Sequence, residues 1–151
     1  MIEKLKILTF PDPRLRTVSK KVTKFDKSLK KLANDMLKLM YEQNGCKVFI
    51  AAAGMAAHLA GAIAAHSIRP VIGIPIESGG MGGIDSLLST AMMPPGVPVA
   101  TVAVGKSGAK NSAILAVQIL ATYNETLSNK LLDYRNNMKE EVLKKDKALN
   151  S

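Results

Sequence analysis

Val48-Phe49-Ile50-Ala51-Ala52 decides the fold, because five apolar residues run on with no polar alternation. A strand with one face in water alternates apolar and polar residues, whereas an unbroken apolar run suits a parallel strand covered on both faces. Gly54 follows, then Met55-Ala56-Ala57-His58-Leu59, a glycine-containing turn at the entry to a helix-like stretch over residues 56–66. Two further apolar runs appear, Pro70-Val71-Ile72-Gly73-Ile74-Pro75 and Val97-Pro98-Val99-Ala100-Thr101-Val102-Ala103-Val104. Helix-like stretches lie between and after them, over residues 84–91 and 111–123. Strand and helix therefore alternate in βαβ units, and the expected class is α/β with a parallel sheet.

Outward from this centre the pattern becomes more polar. Residues 5–10, Leu5-Lys6-Ile7-Leu8-Thr9-Phe10, are expected as a short strand that Pro11-Asp12-Pro13 stops, since proline removes a ladder donor. Asp26 or Ser28 then caps a helix in which Leu29, Leu32, Ala33, Met36, Leu39 and Met40 recur every three or four residues, forming one apolar stripe. Asn44-Gly45 supplies the left-handed stop that helix ends favour. At the other end, residues 127–149 read as one long helix with apolar positions from Leu127 to Leu143. After the last strand it has little sheet left to cover, so it packs on another subunit or stands as an exposed tail.

With 151 residues, 47% of them apolar, the chain can bury one sizeable core, and a single domain over residues 1–151 is expected. The longest apolar stretch, residues 48–68, is broken by Gly54, His58, Gly61 and His66, so it is strand plus helix and no membrane span. The N-terminus shows no secretory signal, and a lone Cys46 allows no internal disulfide, which points to a reducing cytoplasm. The net charge of +9 sits mainly on residues 1–46, which hold 11 Lys and Arg against 5 Asp and Glu. Nucleic-acid binders add stacking aromatics or arginine forks to such a patch. With 3 Phe, 3 Tyr and no Trp, a solvated lysine face is the better reading, and nucleic acid is disfavoured as a partner.

Candidate chemistry is sparse. The turn holding Gly54, Met55, Ala56, Ala57, His58 and Leu59 sits where open α/β sheets bind anionic ligands, because unpaired N–H groups and the helix dipole point there. The same small residues also allow tight strand-to-helix packing, so both readings stand. His58, His66 and Cys46 lack metal-ligand spacing, and no metal or other cofactor is expected. Val104-Gly105-Lys106-Ser107 resembles the end of a phosphate loop, but the residues before it read as strand. Gly79-Gly80-Met81-Gly82-Gly83 is either a flexible connector or a loop that lets a ligand or a neighbouring chain come close.

Five motifs in order carry a family resemblance: Ala53-Gly54-Met55-Ala56-Ala57-His58-Leu59, Pro70-Val71-Ile72-Gly73-Ile74-Pro75, Gly83-Ile84-Asp85-Ser86-Leu87-Leu88-Ser89, Met93-Pro94-Pro95-Gly96-Val97-Pro98-Val99 and Gly108-Ala109-Lys110-Asn111. From Lys47 to about Asn150 the chain resembles PurE, the N5-carboxyaminoimidazole ribonucleotide mutase family of purine synthesis. Ala60 and Met92 stand where many members have proline and glutamine. The resemblance implies a flavodoxin-like three-layer fold, here with about four parallel strands and a long C-terminal helix, and a homo-oligomer, an octamer in that family. It places residues 54–59 in the nucleotide pocket, with backbone groups near the ribose phosphate of an aminoimidazole ribonucleotide-type ligand.

The front of the chain is different. Phe10-Pro11-Asp12-Pro13-Arg14-Leu15-Arg16 and Met40-Tyr41-Glu42-Gln43-Asn44-Gly45 resemble the opening of a peptide deformylase, which makes residues 1–45 one segment and 47–151 another. PurE-type chemistry needs a Gly-Ser-x-Ser-Asp loop and a Ser-Ala-His-Arg run, whose histidine the family implies in proton transfer. Neither occurs here, so no catalytic residue is assigned and weak ligand binding is the most expected of the site. Deformylase chemistry lacks its Glu-Gly-Cys-Leu-Ser and His-Glu-x-x-x-His ligands as well.

Overall fold

The computed structural model describes residues 8, 12–17, 26–42 and 46–150. The chain divides into two compact units, Met1–Cys46 and Lys47–Ser151. Most of the expected strand over residues 5–10 and the helix stop at Asn44-Gly45 lie outside the described residues.

In the first unit Asp12 caps a 3₁₀ turn, η1 (Pro13–Arg16). Its carboxylate accepts from the Arg14 backbone N–H at 2.9 Å and from the guanidinium, whose Nη2 lies 2.7 Å away. Hydrogen bonds from Arg14 hold the Asp12 carboxyl down at about 2. Helix α1 (Lys27–Glu42) starts at Asp26, whose Oδ1 accepts from the N–H groups of Ser28 at 2.9 Å and Leu29 at 3.1 Å. Asp26 is thus the cap; Ser28 contributes a hydroxyl hydrogen bond to the same oxygen at 2.6 Å. That bond is the main cause lowering the carboxyl below its ordinary value.

In the second unit, β1 (Phe49–Gly54), β2 (Val71–Ile76) and β3 (Ala100–Thr101) form a parallel sheet in the order β1-β2-β3. Helices α2 (His58–Ala65), α3 (Ile84–Ala91), α4 (Gly105–Ala121) and α5 (Glu125–Leu149) complete an α/β protein of flavodoxin-like layers with a long C-terminal helix. The central strand carries the core: Val71, Ile72 and Ile74 are buried, with Phe49 and Ala51 beside them.

Several boundaries differ from the sequence expectation, and the sheet has three strands among the described residues where about four were expected. β3 is two residues long instead of eight, pairing Ile72 with Ala100 and Gly73 with Thr101. Pro98 precedes it without a donor, and on β2 Pro75 has none to offer two residues further on. α4 begins at Gly105, six residues before the expected start, and Gly105 itself takes φ 68°, a left-handed value open to glycine. Its inner stripe is Gly108, Ser112 and Ala116, all buried; a Cβ on Gly108 would meet the Ala103 backbone and Ile74. These small residues let the helix lie close on the sheet. α5 starts two residues early because Asn124 Oδ1 accepts from Leu127 N–H at 3.0 Å. Leu127 and Leu131 are half-buried in α5, whereas Leu132, Tyr134, Met138, Val142 and Leu143 are exposed.

Candidate functional site

The expected turn forms, and it is strained. β1 ends at Gly54, and Ala57 N–H donates to the Gly54 carbonyl at 3.0 Å. Met55 and Ala57 adopt φ of 54° and 42°, left-handed values that side-chain-bearing residues seldom take. Ala57 is the N-cap of α2 and gives it no side-chain hydrogen bond, so the first N–H groups of that helix have no capping acceptor. His58 is the first residue of α2 and is exposed; Met55, Ala56 and Leu59 are exposed as well, and Ala57 is buried. The six residues named from sequence are therefore brought together at the carboxyl end of β1.

Two features of the glycine-rich loop after β2 complete this rim. A Cβ on Gly54 would collide with Ser78, so the end of β1 lies directly against that loop. Gly79 is held between the Met55 side chain and the Asp85 carboxylate: a Cβ there would sit 3.0 Å from Asp85 Oδ2 and 3.6 Å from Met55 Cγ. Asp85 lies in the first turn of α3, a favourable place for a carboxylate, yet its Oδ1 is buried with no hydrogen-bond partner among the described residues. Gly83, with φ 82°, comes close to both Glu77 and Val104, the residue that caps α4. The segments following all three strands thus meet at one edge of the sheet. The glycine run pointed to this loop, but nothing local in the sequence assigned Ser78 or Asp85 to the same rim.

The other candidates separate. His66 closes α2 by donating from Nδ1 to the Ala62 carbonyl at 2.8 Å. It is eight positions from His58, about 12 Å along a helix, too far for one metal ion. No group of three metal-ligating side chains occurs among the described residues. Ala103 and Val104 lie outside β3, contrary to expectation, and the Ala103 carbonyl packs against Gly108 of α4. Cavities of about 550 and 680 Å³ share Arg69 and Pro70 at the amino ends of the strands, and neither includes the turn. No helix among the described residues is long and apolar enough to cross a membrane.

A parallel α/β sheet with a glycine-rich rim at the strand ends defines the class. The AIR carboxylase family matches residues 17–141, and the chain belongs to that family. The N5-carboxyaminoimidazole ribonucleotide mutase of Escherichia coli (strain K12) is 52% identical over 102 residues, 68% of this chain and 60% of the relative. The mutase of Bacillus subtilis (strain 168) is 50% identical over 107 residues, 71% of this chain and 66% of the relative. That of Methanocaldococcus jannaschii is 42% identical over 115 residues, 76% of this chain and 71% of the relative. The chain spans 60 to 66% of the length of the first two.

Proposed function

We propose that this chain is a PurE-like protein related to the N5-carboxyaminoimidazole ribonucleotide mutases, with catalysis impaired or absent. One observation carries the reading: the family match includes the turn of residues 54–59, while the sequence holds no Gly-Ser-x-Ser-Asp and no Ser-Ala-His-Arg run. A missing general acid/base costs a factor of about 10² to 10⁴ for proton transfer alone. What remains is the uncapped start of α2, where N–H groups from the turn of residues 54–59 meet an anion weakly. An affinity of about millimolar, near 4 kcal/mol, is expected for a ribose phosphate or an aminoimidazole ribonucleotide.

The deformylase-like origin of residues 1–45 belongs to the same proposal. It is supported by the quoted motifs and by the division of the chain into compact units at Cys46 and Lys47. The alternative reading is a non-catalytic chimeric fold with at most weak anion or nucleotide binding. Self-association, as an octamer by analogy with the resembled family, and a cytoplasmic location complete the proposal. The exposed apolar residues of α5 favour the first.

The decisive assay is conversion of N5-carboxyaminoimidazole ribonucleotide to its C4-carboxylated isomer. Turnover within about tenfold of a complete family member would sink the reading, since that leaves no room for a lost proton-transfer group. Binding is tested separately by titrating aminoimidazole ribonucleotide while following the amides of Ala56, Ala57, His58 and Leu59. Shifts are expected there; none, or shifts confined elsewhere, would leave the turn without a ligand.

A further inference from the structure

The end of the sheet opposite the turn carries two cations side by side. Lys47 and Arg69 each stand two positions before the paired residues Phe49 and Val71, so they lead into adjacent parallel strands at the same level. Phe49 N–H donates to the Pro70 carbonyl at 2.9 Å, which carries the ladder toward that end. Neighbouring strands lie about 4.8 Å apart, and like charges brought so close repel unless an anion lies between them. Both side chains are exposed, and neither joins an ion pair among the described residues.

Lys47 and Arg69 both border the cavity of about 680 Å³ at the corner between α4 and α5. No acidic side chain among the described residues lines it, and Glu125, next to the corner, is exposed and outside the lining. The wall is apolar. Ile119 and Leu120 from the last turn of α4 and Leu127 from the first turn of α5 are half-buried there. Tyr123 stands at the border, 98% exposed, and Asn124 spends its Oδ1 on the Leu127 N–H, which leaves the amide nitrogen to donate. An apolar wall with a few polar groups is the usual make-up of a small-molecule site, and such sites occupy roughly 300–1,000 Å³. The cavity is also far from the turn of residues 54–59: α4 runs from Gly105, beside the Val104 that touches the glycine-rich rim, to Ala121 at the corner, a helix of 17 residues and about 25 Å.

We infer that this cavity is a second ligand site, for a phosphate monoester with an aromatic body. The phosphate lies between Lys47 and Arg69, and the body lies against Ile119, Leu120 and Leu127, within reach of the Tyr123 ring. A phosphate monoester carries a charge of about −1.5 to −2 at neutral pH, which two cations balance, and the guanidinium fork suits its oxygens. A bare anion leaves the apolar wall in water, and an uncharged aromatic compound leaves the two cations facing each other. A molecule with both parts meets both halves of the lining. The site shares no residue with the turn of residues 54–59, so it stands or falls apart from the proposed function.

Phenyl phosphate is the probe, with inorganic phosphate and phenol as its two halves, each titrated into the full chain while NMR follows the amide and methyl signals. Phenyl phosphate is expected to shift Arg69, Leu120, Tyr123 and Leu127 and to bind about tenfold or more tightly than either half. Lys47→Gln and Arg69→Gln are each expected to weaken it about tenfold, as the loss of a hydrogen bond to a charged group does, with far-UV circular dichroism unchanged. NOEs from the phenyl ring to the methyl groups of Leu120 and Leu127 in the unsubstituted chain decide the question if a variant does not fold. Absence of shifts at the corner, or shifts confined to residues 54–59, overturns the site. Inorganic phosphate or phenol binding as tightly as phenyl phosphate overturns the ligand class, and affinity unchanged by both substitutions overturns the two-cation clamp.

Discussion

Strands β1 and β2 are six-residue parallel neighbours, paired from Phe49 with Val71 to Gly54 with Ile76, and both read as apolar runs made for a two-sided interior. Their burial differs. In β2 every residue from Val71 to Pro75 is buried, whereas in β1 Phe49 and Ala51 are buried but Ile50 and Ala52 are exposed. The register explains which face is open. Ala51 pairs with Gly73, whose Cα side meets Thr90 of α3 and Ala60 of α2, so that face of the sheet is covered across both strands. Ala52 pairs with Ile74, which faces Gly108 of α4; α4 covers β2 there and leaves Ile50 and Ala52 of β1 exposed. An apolar run states that a strand tolerates cover on both faces; the helices packed on it decide whether the cover is present.

The sharpest way to break this comparison is to truncate the paired residues. Ile72→Ala removes a fully buried side chain from the centre of the sheet and is expected to cost about 2–5 kcal/mol in urea unfolding. Ile50→Ala, at the register partner, should cost about 1 kcal/mol or less because Ile50 is 47% exposed. Equal losses would mean that the open face of β1 is covered in solution. Gly73→Ala sharpens the account of the covered face. Its new methyl would meet Thr90 Cγ2 and lie 2.8 Å from Val99 Cγ1, and overpacking should cost about 1–3 kcal/mol. A neutral result would show that α3 can lift off the sheet without loss. The smallest effect belongs to the end of β1: Met55→Gly relieves a left-handed residue, φ 54°, on an exposed side chain, and thermal unfolding should show a gain of up to about 1 kcal/mol. A clear loss would mean that the Met55 contact with Gly79 holds the two loops together.

The candidate site divides along the same line. That residues 54–59 form a turn between a buried strand and a helix was legible, because an apolar run, a glycine and a helical stretch are all local signals. That Ser78 and Asp85 join this turn was not, since the contact depends on parallel pairing of strands whose partners are 22 positions apart. The clasp around Gly79 appears only once β1 and β2 are side by side.

The sequence by itself determined the α/β class, the span of α3 and the family, and it narrowed the cap of α1 to Asp26 or Ser28, because periodicity, capping chemistry and motif order are written in neighbouring residues. Tertiary structure decided how short β3 is and which face of β1 stays open. It also decided that α3 turns Ser86 and Thr90 inward and Ile84 and Leu88 outward. The physical reason is that burial belongs to a contact between distant segments. Next to Gly73 only small side chains fit, and a serine or threonine that bonds its own helix can satisfy that place as well as an alanine.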